Sequence, residues 1–377
     1  MNNEKARQEF QNTFENTKSA VVAIDKLLYF AVSSRASDIH CDPAEANILV
    51  RFRIDGIMTT LGFLPKDIHD EFVARLKILS GLRTDVHNVP QDGRWRERVA
   101  DSTFNIRISI MPTYYGENAV LRILPSKVHG DLSFEKLGFR PEHRNKITSV
   151  LGRKNGLILV TGPTGSGKTT TLHTCLSIKA REPLSIISLE DPVEYEIAGV
   201  RQVHIDHNYG VTFASGLRSA LRQDPDVIMV GEIRDSETAN VAIHTALTGH
   251  LVFSTLHTNS ALETIPRLVD MGIDHYLLAS TLKLIIAQRL IRVMCQACES
   301  SACAECNYTG YVGRSVIAEV LEIDTTMSDL ISKREHIQKL HDHAHLSGFI
   351  TIDDDAMEKV DWGITTMGEV VGALYKQ

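Results

Sequence analysis

Gly162-Pro163-Thr164-Gly165-Ser166-Gly167-Lys168-Thr169 fits the pattern G-x-x-x-x-G-K-[ST] without a mismatch. Its flanks suit it. Leu157-Ile158-Leu159-Val160 is a short apolar run of the kind that makes a buried parallel strand. Lys168 to Ala180 reads as a helix, closed by Pro183 just beyond it. Glycines let such a loop curl until several backbone N–H groups point at one anion, and the helix N-terminus adds partial positive charge. Lys168 would then reach the β- and γ-phosphates, and the Thr169 hydroxyl would hold Mg²⁺. Thr170 completes the set expected at the nucleotide. A Gly-rich turn that binds nothing is the bland alternative; the strand–loop–helix context argues for a nucleotide-binding protein.

A chain of 377 residues has room for two or three domains, each with its own core. Hydrophobic content of 43% and charged content of 23% are ordinary for a soluble globular protein. The net charge of −7 argues against a nucleic-acid-binding surface, although a local basic stripe could hide within it. The first 20 residues hold no apolar signal-peptide region. Ala20 to Val32 is interrupted by Asp25 and Lys26 and is too short to span a bilayer. The expectation is a cytoplasmic protein with reduced thiols, touching a membrane only through partners. Four of its six cysteines cluster near the C-terminus, which favours metal over disulfides.

Along the chain, residues 1 to about 18 read as a polar, frayed helix. Ser19 to Ser34 has helical spacing, with Val21, Ile24, Leu27, Leu28 and Ala31 on one face. Ile48 to Ile54 alternates apolar and charged residues as a half-buried strand does, and Asp55-Gly56 signals a turn. A helix over Phe72 to Leu79 and strands over Phe104 to Ile110 and Asn118 to Leu124 complete a small α+β domain with an antiparallel sheet. Pro125 to Gly130 reads as a linker. Beyond it, Ser185 to Leu189, Val227 to Val230 and Leu251 to Ser254 are near-continuous apolar runs, suited to a parallel sheet covered on both faces. Ser236 is the expected cap of one intervening helix, and Ser260 with Glu263 forms a capping-box pattern for the next, where Pro266 should kink the helix or delay its start. Roughly the last 70 residues read as helices around one exposed Cys-rich loop.

Several stretches together resemble one family. They are Ser37-Asp38-Ile39-His40, Arg51 to Gly56, Pro90-Gln91-Asp92-Gly93-Arg94, the phosphate loop, and Glu190-Asp191-Pro192-Val193-Glu194. Leu221 to Asp226, Val230-Gly231-Glu232-Ile233-Arg234-Asp235, Thr248-Gly249-His250 and Ser254 to Thr258 extend the match. The chain is similar to the secretion ATPases of type II secretion and type IV pilus machines. The four Cys resemble the secretion and pilus-assembly branch more than the retraction branch, although their pairs sit closer together than is usual there. Only about 30 residues precede the matching region, so the large docking domain of assembly members is expected to be absent.

The resemblance implies an α/β protein: a RecA-like ATPase core with a smaller, PAS-like α+β domain in front of it. The implied layout is a helical extension over 1–30, the PAS-like domain over 31–125, a linker over 126–131 and the ATPase domain over 132–377. That last domain is expected to carry the Cys-rich loop 295–306 and C-terminal helices. It also implies a homohexameric motor acting on an inner-membrane platform protein, without nucleic acid as partner and without insertion into the membrane. A nucleic-acid translocase on a similar core, a retraction or type IV secretion motor, and a non-hydrolysing nucleotide sensor are the alternatives. Aromatic content of 6% and negative charge weigh against the translocase.

Residue roles follow. Glu232 comes just after an apolar strand, where a usual Walker B strand ends in Asp; here that position is Gly231. Glu232 is expected to polarise the attacking water, help hold Mg²⁺ through water, or both. By resemblance Glu190 and Glu194 form an acidic box at the metal and γ-phosphate side, with Glu194 favoured for water activation and Glu190 for the metal shell; one of them only capping the next segment is the alternative. His250 and His257 carry the family's histidine box, with His257 placed to sense the γ-phosphate or link subunits; a structural histidine at a strand end is the alternative. Arg107 and Arg122 are implied arginine fingers, meeting the γ-phosphate at a domain or subunit junction; surface arginines on a half-exposed strand are the alternative. Cys295-x2-Cys298-x4-Cys303-x2-Cys306 suits a structural, tetrahedral Zn²⁺, with metal-free thiols and an iron–sulfur site as alternatives.

Overall fold

The computed structural model describes residues 8, 10–12, 14, 17–126, 132–301, 303, 305–306 and 308–375. It divides into two compact units, Met1–His129 with Val293–Gly313, and Gly130–Arg292 with Arg314–Gln377. The Cys-rich segment, expected inside the ATPase domain, therefore groups with the first unit. Most of the linker expected over 126–131 lies outside the described residues.

The first unit opens with helix α1 (Ala20–Ser33), whose N-cap Ser19 accepts the Val22 N–H. Strands β1 (Ala36–Pro43), β2 (Asn47–Ile54) and β3 (Ile57–Pro65) follow, then α2 (His69–Ser80). Gly81 ends α2 in the left-handed region at φ 71°. Strands β4 (Gln91–Val99), β5 (Ser102–Thr113) and β6 (Gly116–Pro125) complete an antiparallel sheet ordered β3-β2-β1-β6-β5-β4. Period-two alternation buries Ile48, Val50, Phe52 and Ile54 of β2 and leaves Arg51 and Arg53 on the polar face. The buried face meets Ile24, Leu27, Phe72, Ile106 and Leu121 in one core. Phe10 and Phe14 are fully buried in that core, their rings stacked 4.4 Å apart, and Gln11 Oε1 accepts the Phe63 N–H at 3.2 Å. The stretch expected to fray is instead anchored by two aromatics, each of which removes a large apolar surface from water.

The second unit is built on strands β7 (Gly156–Thr161), β8 (Ile186–Glu190), β9 (Val200–His204), β10 (Val227–Val230), β11 (Leu251–Leu256), β12 (Leu282–Met294) and β13 (Tyr311–Glu322). Their order is β13-β12-β7-β11-β10-β8-β9, and the ladders from β12 to β9 are all parallel. Helices α3 (Pro141–Leu151), α4 (Lys168–Lys179), α5 (Phe213–Ala220), α6 (Ser236–Leu247), α7 (Thr264–Asp270) and α8 (His275–Thr281) are interleaved. Leu157 and Leu159 of β7 enter one core with α5 and α6, while Ile158 and Val160 enter a second with Leu172, Cys175 and Leu176 of α4. Burial on both faces is why these strands read as unbroken apolar runs.

Three expectations need correction here. The end of the chain is not all helix: β13 is a strand, followed by α9 (Thr325–Ser332), α10 (Ile337–Leu346), α11 (Ile352–Asp361) and α12 (Met367–Tyr375). The cap of α6 is Asp235, whose carboxylate accepts the Thr238 N–H at 2.7 Å, rather than Ser236. Ser260 does accept the Glu263 N–H at 3.2 Å, but this closes a turn ahead of α7. The helix starts only at Thr264, the delayed start expected of Pro266, which falls in the first turn, where a missing N–H leaves no bond unmade. Among the described residues no helix is long and apolar enough to cross a membrane.

Candidate functional site

The phosphate loop leaves the C-terminal end of β7, the end of a parallel sheet at which α/β proteins place ligands. Gly162, Gly165 and Gly167 adopt φ of 143°, 80° and 86°. A Cβ on Gly162 would stand 2.5 Å from the Gln288 carbonyl oxygen, so only glycine fits there. At Gly165 nothing lies within 4 Å, and Thr164 and Gly165 form an exposed crown. Lys168 is 9% exposed, and its Nζ donates to Gly162 O at 2.8 Å and Pro163 O at 2.9 Å. Two ammonium hydrogens thus hold the loop and the third is left for an anion. Burial pushes Lys168 down to about 8; Glu232 pulls it up and Arg289 pushes it further down. Pro163 and Thr170 are half-buried, Ser166 is buried, and Thr169 is exposed on the first turn of α4. An open crown, a curled backbone and a cation with a donor to spare fit a nucleotide's phosphates.

Glu232 lies two residues past β10, its side chain 17% exposed. Arg234 Nη2 is 2.6 Å from one of its oxygens and His257 Nε2 is 3.7 Å from the other. His257 follows β11, the neighbour of β7, and burial followed by the Lys168 charge keeps its imidazole below the ordinary range. Lys168, Glu232 and His257 therefore meet at one end of the sheet.

Glu190 is differently occupied. It is buried at the end of β8, where Oε2 lies 3.0 Å from His173 Nε2 and Oε1 accepts from Ser188 Oγ at 2.5 Å and Gln202 Nε2 at 2.9 Å. Burial alone would raise its carboxyl, but the bonds from His173, Gln202 and Ser188 outweigh burial and hold it down. Both oxygens thus accept from protein groups, and the residue is 3% exposed. Glu194 is half-buried in the loop beyond; burial raises the phenol of its neighbour Tyr195, and the charges of Glu194 and Glu190 raise it further.

His250 is not brought to this cluster. It precedes β11 at the opposite end of the sheet's strands, with Nδ1 3.1 Å from Thr245 O and 3.3 Å from Thr248 Oγ1. The intervening strand is about 20 Å long at roughly 3.3 Å per residue. Arg107 and Arg122 belong to the first unit and face each other directly across β5 and β6. Arg122 Nε donates to Asp38 Oδ1 at 2.9 Å.

Sequence reasoning missed four residues around the loop: His173, Asn259, Gln288 and Arg289. Gln288 Nε2 donates to Ser166 O at 2.7 Å and its Oε1 accepts from Thr171 Oγ1 at 2.8 Å, bracing the loop against α4. The signal was available, since Gln288-Arg289 is a polar pair interrupting the apolar run of β12 just after Ala287 pairs with Thr161.

The four cysteines of the Cys-rich loop have their sulfurs within 4.8 Å of one another. Cys295–Cys303, Cys298–Cys306 and Cys303–Cys306 are 3.9, 3.8 and 3.8 Å apart. A tetrahedron with Zn–S bonds of about 2.3 Å has edges of about 3.8 Å, so the sulfurs fit one Zn²⁺. Burial raises the Cys306 thiol, but the N–H groups of Cys303 and Gly310 and the neighbouring thiols bring it down to about 7, toward the thiolate a metal requires.

A parallel sheet covered on both faces, with a phosphate loop at its C-terminal end and a carboxylate and histidine beside it, defines a RecA-like P-loop ATPase. A family model described as Type II/IV secretion system protein matches residues 14–372, and the chain belongs to that family. It is 41% identical to Type II secretion system protein E of Dickeya dadantii, over 95% of this chain and 76% of that protein. It is 39% identical to the type IV pilus assembly ATPase PilB of Myxococcus xanthus, over 98% of this chain and 71% of the relative. Among solved structures it is similar to the pilus retraction motor PilT with bound ADP. That match has a TM-score of 0.68 and 30% identity, and covers 92% of this chain and 95% of the other.

Proposed function

We propose that this chain is the ATP-hydrolysing subunit of a hexameric motor that powers assembly of a type IV pilus or a type II secretion pseudopilus at the inner membrane. One observation carries the reading. The Lys168–Glu232–His257 cluster sits at the mouth of a phosphate loop, in a chain 39 to 41% identical, over nearly its whole length, to a pilus assembly ATPase and to type II secretion protein E. In this reading the loop N–H groups and Lys168 bind the phosphates of ATP, and Thr169 holds Mg²⁺. The magnesium would neutralise charge on the β- and γ-phosphates. Glu232 takes a proton from water, and His257, kept neutral, senses the γ-phosphate side. Glu194 supports the same end of the sheet. Arg107 and Arg122 reach the γ-phosphate of a neighbouring site as fingers, and the Cys-rich loop holds one structural Zn²⁺. The motor works on the cytoplasmic side through an inner-membrane platform protein.

Deletion of the gene tests this reading. Loss of surface fibres or of secreted protein, restored by the parent gene and not by Lys168→Ala, supports it. The PilT likeness favours one second reading, a retraction motor. In that case deletion would raise the number of fibres rather than abolish them.

A further inference from the structure

Arg289 is a buried cation that the hydrolytic reading does not use. It is 7% exposed, and among the described residues no carboxylate oxygen lies within ion-pair distance of it. Buried charges ordinarily have such a partner. Its bonds go elsewhere. Nη1 donates to Gln288 O at 3.1 Å, and Nη2 donates to Asn259 O at 3.2 Å and Asn259 Oδ1 at 3.3 Å. Burial lowers the guanidinium, and Glu319 and Glu263 act on it only from a distance.

The place of these bonds matters. Beside the phosphate-loop strand β7, β12 runs on past the point where Ala287 pairs with Thr161. Arg289 then lies against the root of the loop, with Nη1 3.2 Å from where a Cβ of Gly162 would stand. Asn259 comes two residues after His257. The segment between them is pinned as well, since Thr258 N–H donates to Thr161 Oγ1 at 2.8 Å. Two residues further on, Ala261 N–H donates to the buried Glu319 at 2.5 Å. Glu319 also accepts the first N–H of α11, from Ile352, at 3.3 Å. The loop carrying His257 is thus tied at successive points, and Arg289 is the tie that joins it to β12 beside the root of the phosphate loop.

We propose that Arg289 is a positioning residue for ATP hydrolysis: through Asn259 it fixes the His257 loop against the phosphate loop, and so sets His257 beside Glu232. This rests on reading Lys168, Glu232 and His257 as the hydrolytic site. Three of its N–H contacts go to protein oxygens, and these define its role as a tie between backbone segments. The role needs a planar fork that reaches two oxygens of one residue while holding a third; a lysine ammonium keeps the charge but not that geometry.

The test compares steady-state ATP turnover with equilibrium binding of a fluorescent ADP in the full-length protein. Turnover by the parent and its loss in Lys168→Ala report on the proposed function. The behaviour of Arg289→Gln relative to the parent reports on this inference alone. Arg289→Gln should lower kcat by roughly 10- to 100-fold, as small misplacements of catalytic groups do, while the Kd for ADP stays within about threefold, less than one hydrogen bond is worth. Arg289→Lys should recover part of the loss. Asn259→Ala, an exposed change that keeps the backbone carbonyl, should lower kcat by about fivefold, the worth of one hydrogen bond. Combined with Arg289→Gln it should add nothing. Parental kcat in Arg289→Gln would overturn the proposal. So would an ADP affinity tenfold weaker at unchanged kcat, which would make Arg289 a direct phosphate contact, and so would additive losses in the double variant. If Arg289→Gln does not fold, Arg289→Lys and Asn259→Ala decide, and parental kcat in both overturns the proposal.

Discussion

Nucleotide affinity should fall as pH rises through 8. The cause is Lys168, which burial pushes down to about 8. Its ammonium is the group that meets phosphate, so binding needs the protonated form. The sign is that of a lysine with a lowered value: the charge is present below 8 and is lost above it. In the free protein, about 90% of the ammonium is charged at pH 7 and about 10% at pH 9. If the phosphate contact needs the cation, apparent affinity at pH 9 is about tenfold weaker than at pH 7, or ~1.4 kcal/mol. The last ionisation of a phosphate lies near 6 and so falls outside this window. Fluorescence anisotropy of a labelled ADP, which is not hydrolysed, reads the Kd at pH 7, 8 and 9, and circular dichroism checks the fold at each point. Lys168→Ala should bind weakly at every pH, without the slope. A parent Kd constant within twofold from pH 7 to pH 9, or the same slope in Lys168→Ala, would refute the reasoning.

Three further outcomes are expected. Cys303→Ser should lower zinc from about one ion per chain and loosen the Cys-rich loop, since binding energy at such a site is also folding energy; elemental analysis with limited proteolysis measures both, and an absence of zinc in the parent purified without chelator would end the claim. Leu172→Ala, at a fully packed site under β7, should destabilise by about 2–5 kcal/mol in chemical denaturation, and a change below about 1 kcal/mol would mean this face of the sheet is loosely packed. Arg107→Ala chains should lack turnover alone and regain some when mixed with Lys168→Ala chains, because mixed rings contain an intact phosphate loop facing an intact arginine; no regain in rings shown to exchange subunits would confine Arg107 to its own chain.

The phosphate loop and the central strands were legible because their signals are local. The loop needs glycines at fixed offsets, and a strand buried on both faces is an apolar run. The same property hid β13: Val316 to Leu321 is nearly all apolar, and such a run has no period to separate strand from helix. Edge strand β4 was missed for the opposite reason, since its alternation of Asp92, Arg94, Arg96 and Arg98 with Gly93, Trp95 and Glu97 carries little hydrophobic contrast. Phe10 and Phe14 were passed over because their neighbours are polar, and only the fold supplies Phe30 and Phe52 as ring partners of Phe10. Within the site, Lys168, Glu232 and His257 follow strand ends, so the sheet's topology places them together. Glu190 also follows a strand end, but its role depends on His173 and Gln202, and no spacing reveals those contacts. His250 lies apart from the cluster because it precedes β11, while His257 follows that strand's close.

The most direct test of the account is ATP turnover and ATP binding measured side by side for Glu232→Gln. The account predicts binding within a few-fold of the parent, since Lys168 and the loop are untouched, and a kcat lower by roughly 10²–10⁴, the usual worth of a general base. A Glu232→Gln protein that hydrolyses ATP at the parent rate would contradict it.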